Sequence, residues 1–61
     1  MKAKGIDING NVKYFDILNG KLFCHNNNLK ELVIPNGCKI VSCDHIILHN
    51  VHDNVQINIF I

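Results

Sequence analysis

No charge of one sign dominates this chain. Lys and Arg number 6 against 5 Asp and Glu, a formal net charge of +1. The basic stripe or patch that marks a nucleic-acid binder is missing, so no nucleic-acid partner is expected. Long apolar runs are missing too. No segment approaches the roughly 18 apolar residues of a membrane-spanning helix, and no membrane partner is expected. The opening MKAKGIDI has no apolar run of signal-peptide length. Cysteine is sparse: Cys24, Cys38 and Cys43, with no C-x-x-C pair. An odd count without a leader leads to the expectation of reduced thiols in a cytoplasm. The four glycines match no phosphate-cradling motif.

The chain does have apolar content. Its hydrophobic fraction is 48% and its charged fraction 18%, which suits a folded domain rather than a disordered tail. Sixty-one residues allow one domain, 1–61. A domain this short buries only about 60% of its unfolded surface. Small domains of this kind commonly add a disulfide, a metal or a partner subunit.

Three Asn-Gly pairs punctuate the sequence: Asn9-Gly10, Asn19-Gly20 and Asn36-Gly37. Asn-Gly readily takes positive φ and marks tight turns. The second and third pairs lie inside matching text. Residues 12–28 align with 29–47: Val12 with Leu29, Phe15 with Leu32, Ile17 with Ile34, and then Leu22-x-Cys24 with Val41-x-Cys43. A degraded third copy, 48–61, puts Leu48 and Val51 at the Leu29 and Leu32 positions, Asn54 at the turn and Ile57-x-Ile59 near the Leu-x-Cys slot. Leu22 to Val41, Cys24 to Cys43 and Leu29 to Leu48 share one step of 19 residues. A fixed period of this size signals a repeat architecture.

The segment LFCHNNNL (22–29) fits L-x-C-x-x-N-x-L, with Asn27 at the asparagine position, and LKELVIPNG continues as L-x-x-L-x-I-P-x-G. On these residues the chain resembles the short leucine-rich-repeat-like proteins of phages and bacteria. The resemblance covers residues 12–52 and departs from the pattern at Ile46, which replaces the second asparagine. It implies a mainly β fold: a leucine-rich-repeat-like parallel β-solenoid of about two and a half repeats. Strands near 21–25, 40–44 and 56–60 then lie side by side. Leu22, Cys24, Val41 and Cys43 point inward, because residues two apart share a strand face. Ile6, Ile8, Val12 and Tyr14 alternate around Asn9-Gly10, a β-hairpin signal. The hairpin, 5–15, is expected to serve as an N-terminal cap.

Chemistry-bearing residues are few. Cys24, His25, Cys38, Cys43, Asp44, His45, His49 and His52 supply zinc-ligand types. His45 and His49 would share a face if this segment were helical. The repeat already explains Cys24 and Cys43 as core residues, so no metal or other cofactor is expected, with a small zinc-binding domain as the alternative. Cys38, just after a turn, is expected to be a free and partly exposed thiol. A cysteine nucleophile with a histidine base lacks an oxyanion site and an orienting third group, so no enzyme is expected.

The expected binding residues are those on the outer face of the predicted sheet: Phe23, His25, Ser42, Asp44, Asn58 and Phe60. Exposed aromatics on a strand face are candidate interface anchors. The run VQINIFI ends in an apolar strand whose edge invites pairing. The expected partner is therefore a protein, or a second copy of the chain, engaged through the sheet face or the C-terminal edge strand, and a homo-oligomer is expected. The Asn/Ile bias fits an AT-rich source such as a phage. By analogy with small phage proteins, the resemblance implies an interaction module that inhibits or redirects a host factor. The alternative is a self-assembling structural protein.

Overall fold

The computed structural model describes residues 1–60, Phe60 by its backbone alone. Strands and tight turns build it, and no helix occurs among the described residues. The turns follow from the Asn-Gly pairs. Asn19 and Gly20 both take positive φ, 53° and 75°. Leu18 and Lys21 exchange both backbone hydrogen bonds around them, at 3.0 and 2.9 Å. That is a two-residue type I′ turn, which requires positive φ at both centres. Asn9-Gly10 makes a longer loop, in which only Gly10 is left-handed. Here the Asp7 carboxylate accepts the amides of Asn9 and Asn11, each at 2.9 Å, and sets the loop's shape. Gly37, at φ 89°, turns the chain after Pro35 and Asn36.

Between these turns run seven strands: β1 (Lys2–Asp7), β2 (Val12–Asp16), β3 (Lys21–Phe23), β4 (Leu29–Val33), β5 (Ile40–Asp44), β6 (Ile47–His49) and β7 (Gln56–Phe60). They form a four-stranded sheet in the order β2-β1-β4-β6 and a three-stranded sheet in the order β3-β5-β7. The second sheet is parallel throughout. The first is mixed: β1 is antiparallel to both β2 and β4, and β4 is parallel to β6.

The three sequence copies therefore appear as strand pairs, β2 with β3, β4 with β5, and β6 with β7. Each pair contributes one strand to each sheet. The hairpin strand β1 does not close the end of this stack. It lies between β2 and β4, so parallel stacking is uninterrupted in the three-stranded sheet only. Registers also correct the repeat alignment. Lys4 stands opposite Tyr14 on one side and Val33 on the other, so β2 matches β4 at a step of 19 rather than the 17 that pairs Val12 with Leu29. Lys21 opposite Ile40 shows the same 19. The next step is 16: Leu32 meets Leu48, and Val41 meets Ile57. Leu29 and Leu48 are thus not equivalent. The three extra residues of the first step sit between β3 and β4, at Asn26–Asn28, where Asn26 and Asn28 are left-handed.

The core lies between the sheets. Leu22, Leu32, Ile34 and Val41 are fully enclosed, with Cys24, Cys38 and Cys43 beside them. Leu-x-Cys and Val-x-Cys point inward as their two-residue spacing requires. Ala3 and Gly5 face the same interior, with Phe15 and Ile17 packed against it. A Cβ on Gly5 would stand 3.0 Å from Leu29 and 3.1 Å from the Phe15 ring, so the absence of a side chain lets both close over β1.

Two expected placements fail. Cys38 is 1% exposed, not a surface thiol. Gly37 reverses the chain so that the next side chain drops inward, and its Sγ donates to the carbonyls of Gly20 and Ile40 at 3.6 Å. Val51 is exposed rather than in the core. With a step of 16, Leu48 takes the place opposite Leu32, and Val51 falls beyond β6 in the connection to β7.

Candidate functional site

Cross-strand partners share a sheet face, so the registers define the outer surface of the four-stranded sheet. One row across it is Val12, Ile6, Glu31 and Ile47. The next is Tyr14, Lys4, Val33 and His49. Five of these eight side chains are apolar or aromatic. Tyr14 is 62% exposed and Ile47 56%, and Val12 and Val33 are also open to solvent. A groove of about 240 Å³ runs through the two rows, lined by Lys4, Ile6, Glu31, Val33 and His49.

Charged groups edge this surface. His49 Nε2 lies 2.8 Å from Glu31 Oε1, an ion pair when the imidazole is protonated. Lys2 pairs with Asp16 at 3.1 Å in the adjoining row. Lys4, central to the groove, makes no ion pair among the described residues. Apolar side chains with a few convergent polar groups are the composition of a recognition surface, and contiguous exposed apolar patches mark interaction sites.

The outer face of the parallel sheet differs. Its rows are Lys21, Ile40 and Gln56, then Phe23, Ser42 and Asn58. Phe23 is 61% exposed, as expected of an anchor. Ser42 is not: it is 4% exposed, because a short side chain on the central strand lies between Phe23 and Asn58. Asp44 is half-buried and its Oδ2 accepts the Asn26 amide at 2.8 Å, which ties two successive corners together. Asn58 is half-buried, and its Oδ1 accepts from Gln56 at 3.3 Å. His25 is exposed in the loop after β3, off the strand row. The Phe60 side chain lies outside the described residues. Phe23, Ser42 and Asn58 thus share a row, Asp44 stands in the next opposite the Phe60 backbone, and His25 is apart.

Sequence reasoning missed the apolar set on the other sheet. The signal was present in the alternation of Ile6, Val12 and Tyr14. That pattern marks a hairpin with one apolar face, and on its own it suggests that the apolar face is the buried one. Here the small residues Ala3 and Gly5 face inward beside Phe15, and Ile6, Val12 and Tyr14 take the outer face.

Asn27 stands at the corner after β3. Its Nδ2 donates to the carbonyls of Cys24 and His25 at 3.1 and 3.0 Å, which holds the corner. Ile46, which lies 19 residues on in the sequence, packs against the core instead. An asparagine that the repeat did not single out ties the next corner: Asn50, left-handed at φ 63°, donates from Nδ2 to the Ile34 carbonyl at 2.6 Å.

The thiols are core groups. Burial first, then the neighbouring Cys43 and Asp44, push Cys24 up to about 12, and burial raises Cys38 and Cys43 as well. Each is therefore a protonated thiol at neutral pH, and a thiol is a poor nucleophile and a poor metal ligand compared with its thiolate. Among the described residues no group of three or more His, Cys, Asp or Glu side chains is arranged to hold a metal ion. His45 and His49 share no helix face, since 47–49 is a strand. No helix among the described residues is long and apolar enough to cross a membrane.

Comparison of the chain with protein-family models, with curated proteins and with solved structures yields no match. Its function is read from its surfaces.

Proposed function

We propose that this chain is a small protein-interaction module that engages a partner through the outer face of its four-stranded sheet. The carrying observation is the pair of cross-strand rows in which Val12, Ile6, Ile47, Tyr14 and Val33 stand together on one side, beside the groove at Lys4. The scaffold is read as a short leucine-rich-repeat-like solenoid of two and a half coils whose first step is split by β1. In-register parallel pairing of β3, β5 and β7 supports that reading. So do the Leu-x-Cys and Val-x-Cys columns and the corner bonds of Asn27. Repeat scaffolds present extended sheet surfaces to proteins. A host factor bound and redirected by a phage-encoded chain remains the biological setting that fits the sequence bias.

The test is site-specific photo-crosslinking in a lysate of the source cell or its host. A photoreactive amino acid at position 14 is expected to capture one protein in good yield, and the same group at position 23 is not. Val33→Lys should abolish the capture. Equal capture from both positions, or capture unaffected by Val33→Lys, would remove this face as the binding surface.

A further inference from the structure

The stack ends differently on its two sides. At the hairpin end the edge strands carry charge: Lys13 and Asp16 on β2, Lys21 on β3. Charges on an edge strand discourage pairing with another chain. At the opposite end the edges are β6 and β7, one from each sheet. Gln56–Phe60, the whole of β7, has no charged residue and no proline. Next to this end the core is unfinished: Ile46, Leu48, Val55 and Ile57 are only partly buried, and Ile59 and Val51 are exposed.

We infer that this end binds a second copy of the chain, through antiparallel pairing of β7 with β7 about a twofold axis at Asn58. This interface is separate from the sheet face proposed above and adds to that reading rather than depending on it.

The residues of β7 are self-complementary in that arrangement. Reversing QINIF about its centre sets Asn58 opposite Asn58 and Ile57 opposite Ile59. Val41 and Cys43 of β5 stand opposite Ile57 and Ile59, so Ile57 and Ile59 are on the inward face of the strand. Pairing would therefore join apolar side chains to apolar side chains on the core side and amide to amide outside. The two three-stranded sheets become one sheet of six, and the row of backbone donors and acceptors on the outer edge of β7 is satisfied. A twofold contact closes on itself, whereas a head-to-tail one would grow into a fibre. Both ends would have to be sticky for head-to-tail growth, and the charged edges of β2 and β3 oppose it.

The experiment is light scattering coupled to size exclusion across a concentration series of the 61-residue chain. The wild type is expected to be a dimer at micromolar concentration. Asn58→Lys sets like charges opposite each other at the axis, and like charges directly opposite are destabilising by up to about fivefold in the dimer constant. Asn58→Glu should do the same. An equimolar mixture of the two should recover the dimer, because Lys then meets Glu. Unchanged circular dichroism of each variant shows that the protomer is folded; if either variant unfolds, Asn58→Cys replaces the pair, and an interchain disulfide between the two axial residues is expected on mild oxidation, its absence overturning the proposal. The control variant Tyr14→Ser, on the other surface, should leave the dimer intact. A wild-type monomer at all concentrations would overturn the proposal. So would a dimer indifferent to the charge variants, a mixture that stays monomeric, or a dimer lost in Tyr14→Ser.

Discussion

The two sheets share one core and present opposite characters to water. Among the described side chains the outer face of the parallel sheet is polar apart from Phe23 and the half-buried Ile40, while the mixed sheet exposes Val12, Tyr14, Val33 and Ile47. The source of the difference is β1. Its inward positions are Ala3, Gly5 and Asp7, two small residues and a carboxylate. They bury little apolar area themselves, but they let Leu29 and Phe15 close over the strand. Of the hairpin's larger residues Phe15 packs against the core, while Ile6, Val12 and Tyr14 are left on the outer face. In the repeat strands the reverse holds, with Leu, Val and Cys inward. A strand that turns its small residues inward is one whose large residues are available to something else.

Core truncation should break both sheets together. Leu32→Ala in the mixed sheet and Leu22→Ala in the parallel one each remove a fully enclosed side chain and should cost about 2–5 kcal/mol. That is a large part of what a domain of this size holds. Urea unfolding is expected to lose most of its pretransition baseline in either variant. If one variant melts only its own sheet by hydrogen exchange, the shared-core description fails.

A smaller effect should single out the mixed sheet. Gly5→Ala forces Leu29 and Phe15 apart, and overpacking of this kind costs about 1–3 kcal/mol. Thermal melts should show the loss, and Phe15→Leu in the same chain should recover part of it.

pH separates the sheets in opposite directions. Asp7, held by the Asn11 amide first, then by Asn9 and Lys13, ionises below its ordinary value of 3.8. A lowered value means that its stabilisation is complete above 3.8 and is lost as pH falls through the depressed folded value. Amide protection factors should therefore fall first in β1 and β2 on acidification, and Asp7→Asn should remove that pH dependence. Cys24 and Cys43 lie at the parallel sheet, and their values are raised from 9.0, that of Cys24 to about 12. Their contribution is intact below 9.0 and declines above it, for Cys24 toward about 12, so alkali should loosen β3 and β5 first. The same burial predicts slow reaction of all three thiols with a disulfide reagent in the native state and fast reaction in denaturant.

Surface changes should be the mildest. Tyr14→Ser and Phe23→Ala are each expected to shift stability by no more than about 0.5 kcal/mol. Chemical denaturation checks this; a loss above 2 kcal/mol at Tyr14 would mean that the outer face is structural rather than a surface kept for binding.

Much of this architecture was legible in the sequence, and the limits are physical. The strands β3, β5 and β7 and the inward Leu-x-Cys columns follow from local spacing and a repeated step. Asn19-Gly20 announces its turn because few other dipeptides tolerate two left-handed residues. The insertion of β1 between β2 and β4 could not be read, because the alternation in the hairpin specifies β2 as a partner and says nothing of the strand on the other side. The change of step from 19 to 16 was hidden by coincidence: Leu29 and Leu48 are 19 apart and both leucine, yet Leu32 is the residue that meets Leu48. The outer positions were read correctly at Phe23 and not at Ser42, since exposure depends on the size of flanking side chains as well as on parity.

The position of β1 also dictates an order of assembly. The hairpin of β1 and β2 closes over a short loop and can form within microseconds of its synthesis. Its other edge must then wait for β4, more than twenty residues downstream of Asp7, because Asp7 meets Leu29. The later strands have only to lie down beside a predecessor one step back in the chain. Contacts that are distant in sequence slow folding more than local ones do. The docking of the hairpin onto β4 is therefore the kinetic bottleneck expected of this chain, and β7, the last of the described strands in chain order, must wait for β5.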